Sequence, residues 1–144
     1  MRLSLATFAA AALSLAFAAA PALANEVYHT DLSGQSETPP NDSTGTGVVD
    51  ATYDPDAKTL TWTITYSGLS GDVTAAHFHG PAAKGEKADP VVPLTDPLAS
   101  PIKGSATLTD AQHDDLAKGL WYFNLHTAKY PDGELRGQMA VVTP

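Results

Sequence analysis

The sequence predicts an all-β fold, an antiparallel sandwich or barrel that carries one short helix. Three observations lead there. Seven or eight short stretches read as strands, each bounded by turn-forming Gly, Pro, Asn, Asp or Ser. One of them, residues 58–66, alternates without a break, with Leu60, Trp62, Ile64 and Tyr66 on one face and Thr59, Thr61, Thr63 and Thr65 on the other. Helix signals occur at a single place, after Thr109.

The chain opens on a segment of different character. Arg2 supplies a positive charge, an Ala- and Leu-rich run follows to Ala18, and Ala22-Leu23-Ala24 forms an A-x-A cleavage site. The run is shorter than the ~20 residues that cross a bilayer. Residues 1–24 therefore read as a cleavable signal peptide and residues 25–144 as one β domain. The expected location is periplasmic or extracellular.

Taking 24 residues from 144 leaves 120, enough for one domain with one core. Residues 25–31 form a short mixed stretch with Val27 and His29 on one face. Residues 32–47, rich in Ser, Thr, Gly and Pro, read as a long surface connection. Residues 47–53 and 58–66 form a hairpin around the Asp54-Pro55-Asp56-Ala57 turn. Residues 73–79 read as a strand, 80–90 as a mobile loop, and Val91, Val92 and Leu94 among three prolines as an edge segment. A further strand is expected over 102–108. Thr109 and Gln112 make a capping box, and Gly119 stands where a helix should stop. Residues 120–126 and 134–142 close the chain as two strands around Tyr130-Pro131-Asp132-Gly133.

Composition excludes several classes. With no cysteine there is no disulfide, thiolate zinc site or thiol nucleophile. The formal charge is −8, and −9 once Arg2 leaves with the leader, which disfavours nucleic acid and anionic membrane as partners and favours a cation. No nucleophile elbow or phosphate-binding glycine loop is present.

Histidine is where chemistry concentrates. His77 and His79 are two apart on a predicted strand, so both imidazoles leave the same face while Ala76 and Phe78 leave the other. On the strand over 120–126, Trp121, Phe123 and Leu125 form the apolar face, and Tyr122, Asn124 and His126 the polar one. If the two strands pair in a suitable register, His77, His79 and His126 meet. Three imidazoles with open positions suit copper, or zinc as the alternative, more than Ca²⁺ or Mg²⁺. His29, Asn124 and Tyr122 are the candidates for a further ligand or for groups that hold the ligands in place. His113, beside Asp114 and Asp115, reads as a solvated surface residue. Arg136 is expected to pair with a loop carboxylate such as Glu37, with Glu134 on the same strand face, as a structural ion pair.

The blocks LSGQSETPP (32–40), YSGLSGDVTAAHFHGPA (66–82) and LTDAQHDDLAKGLWYFNLHTAKYPDGELRGQM (108–139) resemble the CHRD domain, named for repeats in chordin and also found alone in exported bacterial proteins. The resemblance spans nearly all of residues 25–144. It implies an extracellular β domain of Greek-key character, immunoglobulin-like or superoxide-dismutase-like. The His-x-His pair is similar to the copper strand of copper–zinc superoxide dismutase. That two-metal site needs more histidines than the five here and a disulfide this chain cannot form, so dismutation is not expected.

The functional expectation is an exported copper-binding or copper-buffering protein, not an enzyme. The alternative is a metal-independent extracellular interaction module that uses loop residues 82–89. Pairing of a sheet edge in a symmetric homodimer is compatible with either.

Overall fold

The computed structural model describes residues 23–142, so the predicted signal peptide, apart from its last two residues, lies outside the described residues. Nine strands follow in order: β1 (Glu26–Ser33), β2 (Thr46–Asp54), β3 (Thr59–Ser67), β4 (Val73–His79), β5 (Pro90–Pro93), β6 (Ile102–Thr107), β7 (Tyr122–Thr127), β8 (Leu135–Gln138) and β9 (Ala140–Val141). A 3₁₀ turn (Gly34–Ser36) follows β1, and the helix α1 (Asp110–Ala117) links β6 to β7.

All pairings are antiparallel, in the order β5-β4-β7-β8-β1-β2-β3-β6, with β9 added alongside β1. The sheet curls until β5 and β6 nearly meet, so the predicted sandwich-or-barrel takes the form of an almost closed barrel. A strand returning beside the first of a three-strand meander, β8 next to β1-β2-β3, is the Greek-key relation.

Period-2 alternation sorts the strand side chains. Tyr28 and Leu32 from β1, Val49, Ala51 and Tyr53 from β2, and Leu60, Trp62 and Ile64 from β3 fill the interior. They meet Ala76 and Phe78 from β4 and Phe123 and Leu125 from β7. Trp62 and Phe78 touch edge-on across the barrel at a 5.2 Å centroid distance, and Phe78 sits 4.9 Å from Phe123. This places β3 and β4, far apart along the sheet, on opposite walls of one core. The β3 threonines face out, as alternation requires.

The helix starts as its sequence dictates. The Thr109 hydroxyl accepts from the Gln112 backbone, and the Gln112 side chain accepts from the Thr109 backbone. Gly119, at φ 71°, takes the left-handed conformation that ends it.

Four expectations need correction. The connection read over 32–47 is shorter, because β1 and β2 pair from Glu26–Tyr53 through Ser33–Thr46 and absorb both of its ends. Residues 134–142 are not one strand. They break at Met139, whose side chain is buried and whose N–H donates to the Trp121 carbonyl at 2.9 Å. His113 is not free in solvent; it stacks on Tyr53 at 4.0 Å and bonds Glu26 at 2.9 Å, tying α1 to β1. The loop over 80–90 is anchored by its main chain. Carbonyls of Ala82, Glu86, Ala88 and Asp89 accept bonds from Gln138, Arg136, His79 and Gly80 respectively.

Buried Glu134 organises three loops on the outer side. Its carboxylate accepts from the Ser43 hydroxyl at 2.7 Å, the Ser70 backbone at 2.9 Å, the Ser70 hydroxyl at 2.6 Å and the Thr127 hydroxyl at 2.6 Å. Burial alone would raise its pKa, but the bonds from Ser70, Thr127 and Ser43 together hold it below the usual carboxylate range. Glu134→Ala would strip all three hydroxyls of their acceptor and should cost about 3 kcal/mol or more in urea unfolding. In the wild type, Glu134's contribution is present above pH 4.5 and fades as pH falls through its lowered folded pKa.

Candidate metal centre

The site follows from one register. In the β4–β7 pair, Ala75 lies opposite His126, His77 opposite Asn124, and His79 opposite Tyr122. β8 continues the row, with Arg136 opposite Asn124 and Gln138 opposite Tyr122. All these side chains leave the outer face, since Ala76, Phe78, Phe123 and Leu125 occupy the core. Asn124 thus has His77 directly across, His79 on a cross-strand diagonal and His126 two residues along its own strand, all within reach for long side chains.

The three imidazoles converge. One ring nitrogen from each of His77, His79 and His126 lies within 4.8 Å of the other two. His77 Nδ1 is 3.2 Å from His126 Nε2, while the Asn124 Oδ1 lies 2.9 Å from His79 Nε2 and 3.0 Å from His126 Nε2. Nitrogens on one tetrahedral ion are about 3.4 Å apart, so the widest separation in the triad would have to close by at most roughly 1.5 Å. His77 and His126 are only half-buried, which leaves one side of the cluster open to an incoming ion.

Tautomers are set from behind. His79 Nδ1 donates to the Ala88 carbonyl at 2.9 Å, and His126 Nδ1 donates to the Pro131 carbonyl at 2.9 Å. A neutral imidazole has one N–H, so in both rings Nε2 is left with a lone pair aimed at the shared point. Ligating histidines in metal proteins are anchored in this way. The cluster is therefore rich in acceptors and short of donors.

Burial, with the neighbouring His126 and His79, lowers the His77 pKa to about 4. Burial also lowers that of His79, against the opposing bonds to Ala88 and Asn124. Both changes favour the neutral, ligand-competent ring. Tyr122 braces His79, its ring stacked at 4.7 Å and 5°, and its hydroxyl exchanges bonds with the Ala88 backbone. On the other side of Tyr122 lies the Arg136 guanidinium, 3.6 Å from the ring centre.

The remaining expectations fare differently. His29 stays apart, because β8 separates β1 from β7; its Nδ1 bonds Asp50 at 2.7 Å and its Nε2 approaches Asp31 at 3.7 Å. Asn124 touches two of the histidines, and Tyr122 supports His79 without pointing its hydroxyl at the cluster. The expected ion pair is not formed. Among the described residues Arg136 has no carboxylate within 4.0 Å; it donates instead to the Thr38 hydroxyl at 3.2 Å and the Glu86 carbonyl at 2.7 Å. Glu134 has its own four donors, and Glu37, buried near the Arg136 charge but beyond ion-pair distance, keeps Oε1 without a hydrogen-bond partner.

Sequence reasoning missed the two anchoring carbonyls, since any residue supplies one. The only trace was the tight Pro131 turn five residues beyond His126. A surface concavity of ≈ 470 Å³ between Asp31, Leu32, Thr46, Tyr66 and their neighbours lies on β1–β3 and contains no comparable convergence of polar groups.

Fold and site together define a small antiparallel β-barrel protein with a histidine triad on its outer face. The chain belongs to the CHRD domain family, whose profile matches residues 28–139. No curated protein and no solved structure matches it. The family is one of extracellular or exported modules, and among the described residues no helix is long and apolar enough to cross a membrane.

Protonation gives a direct check. His77 should titrate near pH 4 in NMR spectra of the metal-free protein, against an ordinary value of 6.5. Between those values the unfolded chain binds a proton that folded His77 does not, so this residue's contribution to stability falls as pH drops from 6.5 toward 4. Comparison with His77→Gln isolates the effect: wild type should lose stability relative to the variant across that window.

Proposed function

We propose that this protein is an exported metal-binding protein that holds copper, with zinc as the alternative, through His77, His79 and His126, and that it buffers or hands on the ion. The observation that supports this most is the excess of acceptors at one point. Two imidazoles whose N–H groups are spent on Ala88 and Pro131 face a third imidazole and an amide oxygen. A cation relieves that arrangement, and neutral nitrogen donors select a borderline transition metal.

Copper ranks ahead of zinc because divalent affinity peaks at Cu²⁺ for a given nitrogen site. The absence of thiolate removes the usual competitor for soft ions. Three protein ligands leave a coordination position for water or for an acceptor's side chain, which suits exchange better than permanent storage.

Calorimetric titration with Cu(II) and Zn(II) tests the assignment. Wild type should bind one equivalent with micromolar or tighter affinity, and His77→Ala should bind roughly tenfold or more weakly. His77 is the residue of choice because its loss opens no core cavity. Equal affinity in the two proteins would remove the triad from the reading.

Export is a separate part of the proposal and rests on the leader over residues 1–24. Protein recovered from the periplasm or medium should begin at Asn25 on amino-terminal sequencing. Recovery of an uncleaved chain from the cytoplasm would overturn it.

A further inference from the structure

We infer that buried Glu37 is a positioning residue for the triad, which it tunes toward divalent ions through Asn124; this rests on the metal-binding reading above. Glu37 follows the 3₁₀ turn after β1 and is 7 % exposed. Its carboxyl group is bounded by the Thr38 backbone N–H, the Asn124 side chain and the Arg136 charge. Gly133 closes the other side at φ 130°, and a Cβ there would collide with Glu37 Oε1, so the turn before β8 is shaped around this carboxylate. Oε1 has no hydrogen-bond partner. Burial pushes its pKa up to about 7, against the Thr38 N–H, Arg136, Asn124 and Lys87, which favour the charged form, so the carboxylate is fully developed only above that pH.

Its use lies one amide away. With its NH₂ toward Glu37, Asn124 turns Oδ1 to His79 Nε2 and His126 Nε2, at 2.9 and 3.0 Å. The carboxylate polarises that amide and makes its oxygen more negative at the point where an ion would sit. Glu37 also offsets a liability. Arg136 is 2 % exposed, is free of close ion pairs and lies over Tyr122, which stacks on His79. Unopposed, its charge would repel a dication.

The physical consequence is selective. Repulsion from Arg136 and attraction to Glu37 both scale with the charge of the ion, so removal of the carboxylate should hurt a divalent ion more than a monovalent one. A defect of shape would weaken both alike. The acid and amide side chains have nearly the same volume, so Glu37→Gln changes charge with little change of shape.

Zn(II) and Ag(I) binding to wild type and to Glu37→Gln, each measured by calorimetry at about pH 8, where Glu37 is ionised, beside the thermal midpoint of the metal-free protein, gives the test. The expected result is a 10–100-fold loss of Zn(II) affinity, a smaller loss for Ag(I), and an unchanged or higher midpoint. Unchanged Zn(II) affinity, or equal losses for both ions, overturns the inference while leaving the triad intact. Should Glu37→Gln not fold, Asn124→Ala is the substitute. It keeps Glu37 but removes the amide, and the same Zn(II)-selective loss is expected, with equal or absent losses again decisive against. Wild type that binds neither ion would instead defeat the metal-binding reading itself.

Discussion

The pairing of β4 with β7 is the constraint on which the rest depends. Phe78 and Phe123 face each other inside the barrel and are wholly buried, so a slip of one strand by one residue would carry its ring to the outside. At roughly 25 cal/mol per Å² of apolar surface, exposing a phenyl group with the rest of its strand's apolar face costs several kcal/mol, more than a bond on the outer face supplies. The core therefore fixes the register, and the register places His77 beside Asn124, with His79 diagonal to it and His126 two residues along β7. Histidine geometry is inherited from phenylalanine packing on the opposite side of the same strands.

Sheet pairing brings the rings together, and loops from three parts of the chain complete the surroundings. The segment after β1 contributes Glu37 and Thr38, the loop over 80–90 contributes the Ala88 and Glu86 carbonyls, and the turn before β8 contributes Pro131 and Gly133. Each is held by at least one buried polar group: Glu37, Arg136 or Glu134. Such groups are expensive to desolvate, and only Glu134 recovers the cost with a full set of donors. Arg136 is satisfied by neutral oxygens and an aromatic face, which leaves its charge unpaired at close range. That uneven satisfaction separates the loop staple from the groups that bear on the triad.

Much of this was legible from local pattern. Strict alternation in β3 reported one buried face, and the His-x-His spacing on β4 with His126 on β7 gave the face the rings would share. The capping box at Thr109 and Gln112 is a contact between near neighbours, so sequence alone locates it. What escaped notice was non-local. Arg136 and Glu37 form an appealing pair on paper, yet the 80–90 loop folds over β8 and gives Arg136 the Glu86 carbonyl, an acceptor with no sequence signature. The same holds for Ala88 and Pro131, whose side chains say nothing about their carbonyls. His113 was misjudged because acidic neighbours along the helix suggested solvent, whereas its partners, Glu26 and Tyr53, come from β1 and β2.

On the metal-binding proposal, the acidic surface and the neutral triad would divide the work of ion selection. A formal charge of −8 attracts every cation, and outside the cell Ca²⁺ and Mg²⁺ are the natural competitors. Hard ions need several oxygen ligands, and the cluster offers them nitrogen and at most one amide oxygen. A carboxylate placed directly among the histidines would strengthen binding of all divalent ions and blur that distinction. Set one residue back, behind Asn124, it can lower the electrostatic cost of a dication without becoming the hard ligand that Ca²⁺ or Mg²⁺ requires. Under that proposal discrimination would stay with the imidazoles, and long-range charge would govern only how readily the ion arrives and remains.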